Sequence, residues 1–219
     1  DLDARVYQDA RGNLLPGEVR AALYGPSDPE AFQALDARWR FDALVIEYPT
    51  FDPEAAPHLA TVAPDEDWAA DRRGWSLVAF DDGGLLYLRR DGALAAQAAR
   101  DEYRHARPAV PPGIGNPDPA GLQADLERSI REAPACARCR SDLGYLLLRH
   151  GRPAEAERSF QAALDGQPLT RAQALYGLYQ AGLLRGDVAA AEGRLREVIA
   201  VAAEPAGYRR DLAVLLARS

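Results

Sequence analysis

Apolar residues change their spacing halfway along this chain. Before residue 107, short continuous or alternating apolar runs are separated by turn signals; after residue 119, apolar positions recur every three or four residues. In the first part, residues 5–8 read as a short strand. Residues 28–39 read as a helix, with Asp28 as N-cap, Pro29 at the first helical position, and Phe32, Leu35 and Trp39 forming one apolar stripe. The apolar run at 43–48 predicts a buried strand that Pro49 stops. Runs at 76–80 and 85–89 flank Asp81, Asp82, Gly83 and Gly84, a turn sequence that predicts a hairpin. Residues 92–105 are Ala-rich and predict a helix. Strands alternating with helices imply an α/β domain built on a small mixed sheet.

Residues 107–119 contain five prolines and two glycines, which neither a helix nor an inner strand sustains. The expected division is therefore an α/β domain over 1–106, a linker over 107–119 and an all-helical domain over 120–219.

The helical part repeats itself. Pro134 and Pro168 stand 34 residues apart, and between them fall Leu143, Gly144, Leu147, Gly151, Ala156, Phe160 and Ala163. Small residues at Gly144 and Ala156 allow two antiparallel helices to approach, Gly151 suits the turn between them, Phe160 fills the groove against the next unit, and Pro168 opens that unit. This set resembles the tetratricopeptide repeat, whose helical hairpins stack into a surface that binds proteins or peptides. A looser second unit follows with Leu175, Leu178, Gly182, Gly186, Ala191, Leu195 and Val198. Leu122, Leu126 and Ile130 look like the second helix of a degenerate unit before the first, and residues 208–217 look like a cap.

Composition narrows the functional classes. All 26 basic residues are Arg, so a Walker-type phosphate loop, a Schiff-base enzyme and a lysine general base are excluded. The formal charge is −7 with Arg interspersed among Asp and Glu, leaving no basic stripe for nucleic acid or an anionic membrane. No apolar run reaches the length of a membrane-spanning helix. The chain opens at Asp1 and holds no Met, as expected of a piece excised from a longer product.

Candidate chemistry is sparse. Cys136 and Cys139 admit three readings: structural or incidental residues, a stabilising disulfide, or a catalytic or metal pair. Because an i, i+3 pair within a helix needs distortion to reach disulfide geometry, the pair is expected to be reduced or only partly oxidised. Gly113 and Gly115 belong to the linker, not to a dinucleotide fingerprint. The acidic groups at 65–67 and 81–82 are expected to be solvated turns. His58, His105 and His150 stand singly, and Trp39, Trp68 and Trp75 are expected at the core or its edge. No nucleophile or metal motif occurs, so no catalytic, cofactor or metal residue is assigned.

Leu23, Tyr24 and Gly25, the segment from Arg40 to Ile46, the segment from Trp75 to Asp82 and the run at 85–90 resemble a soluble domain that follows the membrane spans in bacterial proteins of the dolichyl-phosphate-mannose-mannosyltransferase-like class. That resemblance implies an extracytoplasmic (periplasmic) tail of a membrane protein. The transferase chemistry of that class lies in loops between spans, so no catalytic residue carries over. The leading expectation is a non-catalytic interaction module with a protein or peptide partner and no nucleic acid. The alternatives are a carbohydrate- or nucleotide-sugar-binding accessory domain and a cytoplasmic adaptor.

Overall fold

The computed structural model of the chain describes residues 37–47, 74–108 and 118–217. Among the described residues three strands, β1 (Ala43–Glu47), β2 (Trp75–Phe80) and β3 (Gly84–Arg89), precede the helices α1 to α7. The helices are α1 (Ala95–Asp101), α2 (Pro119–Glu132), α3 (Ala137–Arg149), α4 (Pro153–Gln161), α5 (Pro168–Leu184), α6 (Val188–Val201) and α7 (Ala206–Leu216). The strand expected at 5–8 lies outside the described residues, as does most of the helix expected at 28–39; residues 37–39 are helical.

The sheet order is β1-β3-β2, with β3 antiparallel to both neighbours. Among the described residues the sheet is therefore antiparallel, not mixed as expected. The strands that run in the same direction, β1 and β2, are separated by β3 and never pair. The hairpin turn is closed by Asp81, whose Oδ1 accepts from the Gly83 N–H at 2.7 Å and the Gly84 N–H at 3.1 Å. A bulge between Leu77 and Ala79 shifts the register of β2 by one residue. It brings Leu77, opposite Tyr87, and Phe80, opposite Leu85, onto the same face although they are three apart. That face carries the larger core of the sheet. On the other face Val78, Leu88 and Ala98 of α1 form a small cluster.

The helix expected over 92–105 is shorter. α1 ends at Asp101 because Glu102 turns extended (ψ 130°), and the Tyr103 N–H then donates to Leu77 O at 2.8 Å. That turn sends the Tyr103 side chain into the core, where it is 1% exposed. Pro119, assigned above to the linker, is the first residue of α2, and Asp118 caps it by accepting from the Gly121 N–H at 2.9 Å.

The larger core joins residues from both sides of the proline-rich segment: Trp75, Leu77, Phe80, Leu85, Tyr87 and Tyr103 pack with Leu122, Leu126, Cys136, Cys139 and Leu146. Polar contacts reinforce the join. The Asp125 carboxylate accepts from the His105 and Ala106 N–H groups at 2.6 and 3.0 Å. The Tyr103 hydroxyl donates to Glu132 at 2.6 Å, beneath an Arg128 guanidinium 4.2 Å from its ring. Burial and that carboxylate push the Tyr103 hydroxyl's pKa up.

Candidate functional site

The helical half is arranged around Phe160, which is fully buried on α4. A Cβ on Gly144 of α3 would lie 2.6 Å from its ring, and one on Gly177 of α5 only 2.3 Å away. Such approaches leave no room for any side chain, so glycines from two successive units lie directly against the ring. Tyr145 meets its edge at 4.9 Å between centroids. Ala156 and Ala163 are also fully buried, Leu147 is 4% exposed, and Leu143 is half-buried between the sheet core and the repeat core. Gly151 (φ +68°) and Gly186 (φ +76°) take the left-handed conformation that ends α3 and α5. Matching bonds close the two turns, Arg152 N–H to Leu147 O at 3.0 Å and Asp187 N–H to Gly182 O at 2.9 Å. Pro168 is the first residue of α5. In the second unit Leu175, Ala191, Leu195 and Val198 are buried, and Gly182 lets α5 close on Ala191 of α6. Gly177 escaped the sequence reading. Its signal was a glycine inside a strongly apolar helix, which is tolerated there only for a packing reason.

The first helices of successive units, α3, α5 and α7, are joined by tyrosines. The Tyr145 hydroxyl donates to Gln173 O at 2.7 Å, and the Tyr176 hydroxyl donates to Asp211 at 3.0 Å. The Tyr176 ring stacks 5.3 Å from Tyr179 and 5.2 Å from Tyr208. All four tyrosines are half-buried, so each exposes part of its ring.

A second locus lies where the hairpin meets α3. Cys136 and Cys139 form a disulfide with a Cα–Cα distance of 5.4 Å, which corrects the expectation of reduced thiols. The physical reason is the position of Cys136. It stands outside the helix as N-cap with ψ 95°, so the first turn of α3 is left intact. Its sulfur accepts from the Cys139 N–H at 3.1 Å. Asp82 was expected in a solvated turn; instead its carboxylate accepts from the Ala137 and Arg138 N–H groups at 2.9 and 2.8 Å and caps α3 from another element. Ser129 of α2, 1% exposed, donates its hydroxyl to Phe80 O at 3.1 Å and touches Cys139 Sγ at 3.1 Å. Asp142, one turn further along α3, is 8% exposed, and burial pushes its carboxyl up to about 7 despite the opposing Arg138 charge.

The remaining candidates stay dispersed. Trp75 is buried at 3% with the Arg89 guanidinium over its ring, whereas Trp39 is 43% exposed and thus not the core residue expected. His105 lies 3.7 Å from Asp118, and His150 is the exposed C-cap of α3. Trp68, His58, the acidic group at 65–67, Gly113 and Gly115 lie outside the described residues. Among the described residues no three His, Cys, Asp or Glu side chains gather as a metal site, and no helix is long and apolar enough to cross a membrane.

No curated protein matches the chain. The tetratricopeptide repeat family does match it, over residues 123–169 and 141–205. Together with the glycine-clasped Phe160 and the two matching helix turns, that match makes residues 123–205 similar to an array of tetratricopeptide repeats.

Proposed function

We propose that this chain is a non-catalytic module that binds a protein or peptide along α3, α5 and α7, and that it belongs to the extracytoplasmic part of a bacterial membrane protein. The observation carrying the binding reading is the row of half-buried tyrosines, Tyr145, Tyr176, Tyr179 and Tyr208, spanning three successive first helices. Tyrosines held on one side bind at a small entropic cost, since each has few torsions left to freeze. The location is supported by the buried disulfide, a bond that persists in oxidising compartments. The sugar-binding alternative loses Trp75 as a stacking platform, because that ring is buried.

A photo-crosslinking residue placed at Tyr179 or Tyr208 in cells is expected to capture one discrete partner that the same residue at Arg158, exposed on α4, does not. Equal capture at all three positions, or none at the tyrosines, contradicts the binding reading. The location has a separate test: when cells are quenched in acid and the protein is alkylated under denaturing conditions, Cys136 and Cys139 should stay unmodified, and full alkylation would refute an oxidising compartment.

A further inference from the structure

We infer that the Cys136–Cys139 disulfide is a redox-operated latch that decides whether the β2–β3 hairpin stays fastened to the first repeat. The inference goes beyond the binding reading and does not depend on it.

Two residues of the hairpin, Asp82 in its turn and Phe80 at the end of β2, converge on the two sulfurs. In the turn the Asp82 carboxylate grips the Ala137 and Arg138 N–H groups, the two residues lying between the cysteines, and its Oδ1 is 3.7 Å from Cys136 Sγ. Beside the turn, at the end of β2, Phe80 O accepts from the Ser129 hydroxyl, whose oxygen rests against Cys139 Sγ at 3.1 Å. Cys136 is 2% exposed and Cys139 fully buried, so nothing here can shift without moving the hairpin, α2 or the start of α3.

Reduction by a dithiol changes this site chemically. Each sulfur gains one electron and one proton, the S–S bond breaks, and the reductant's two sulfurs are joined in its place. The two thiol sulfurs must then separate to van der Waals contact in a space without slack. Cys136 moves against Asp82, or Cys139 against Ser129. The new Cys136 S–H is also a donor beside Asp82 Oδ1, the atom that accepts from the Arg138 N–H, and competes for it. Either movement loosens one of the two ties between hairpin and helix. Arg138, Ser141 and Asp142, all buried along the first turns of α3, would become accessible as the latch opens. Because the sulfurs are inaccessible in the closed state, reduction must pass through a transient opening of the hairpin.

The test is hydrogen exchange with mass spectrometry on the whole chain, before and after reduction by a dithiol, with alkylation and intact mass reporting the redox state. In the reduced protein, amides in 75–89 and 129–142 should exchange at least about tenfold faster, while those in 188–216 stay within about twofold. Asp82→Ala, with the disulfide intact, should show the same local acceleration. Four results would overturn the inference: free thiols in protein purified without reductant, unchanged local exchange after complete reduction, acceleration spread evenly over the chain, or an Asp82→Ala variant that exchanges like the wild type.

Discussion

Around Phe160 the packing is apolar and periodic; around Ser129 and the disulfide it is polar and occurs once. The repeat core sets a large ring between Gly144 and Gly177, with Ala156 and Ala163 beneath, and the second unit echoes it with Leu195 and Ala191. The junction between sheet and helices adds single polar contacts to its shared apolar core. Asp82 caps a helix it does not belong to, Asp125 holds the backbone of 105–106, and Glu132 receives the Tyr103 hydroxyl. A repeat unit buries its apolar face only against the next unit, so its positions must recur. A junction made once has no such constraint and can use whatever polar groups the two elements bring together.

The largest expected effect is in the periodic core. Phe160→Ala should cost about 3–5 kcal/mol in chemical denaturation, because the cavity between two glycine-lined helices cannot collapse. A loss under about 0.5 kcal/mol would mean that the ring does not set the stacking of the units.

At the junction the expected effect depends on pH. Asp142's carboxyl is pushed up to about 7 by burial, above the ordinary value of about 3.9. Between those values the folded chain keeps a proton that the unfolded chain has lost, so stability falls as pH rises through this window and levels off above about 7. The loss is on the order of 2–4 kcal/mol. Asp142→Asn should flatten that decline, as measured by denaturation at pH 4 to 8. An identical slope in the variant would remove Asp142 as its source.

A smaller effect sharpens the comparison. Gly177→Ala should cost about 1–3 kcal/mol by overpacking the Phe160 ring, whereas Gly193→Ala on α6, with open space around its Cβ position, should be neutral or slightly stabilising. Equal melting shifts for the two would show that the clasp is not tight.

The same contrast explains what the sequence revealed. Gly151 and Ala156 were legible because stacking repeats their positions at Gly186 and Ala191, Phe160 because a large apolar residue recurs there as Leu195, and the hairpin from its Asp-Gly turn. Gly177 was missed because it lies off the position that Gly144 occupies in the first unit. The extent of α1 was overestimated because Ala-rich composition favours helix locally, while the Tyr103 N–H found its acceptor on β2. The α2 start was misplaced although Asp118 and Pro119 carry the same cap signature as Asp28 and Pro29. The roles of Asp82, Ser129 and Asp142 depend on which elements meet in space, and no spacing along the chain encodes that.

The central claim is that the strands and the first repeat share one core, and it is tested by cutting the chain between them. Limited proteolysis is expected to cleave first between Arg107 and Asp118, in the proline-rich segment. The nicked protein is then passed over a sizing column under native conditions, with mass spectrometry of each peak. Because Trp75, Phe80 and Tyr103 pack against Leu122, Leu126 and Leu146, the two fragments should elute together as one particle of the intact mass. Fragments that separate, each still folded, would contradict the shared core and restore two independent domains.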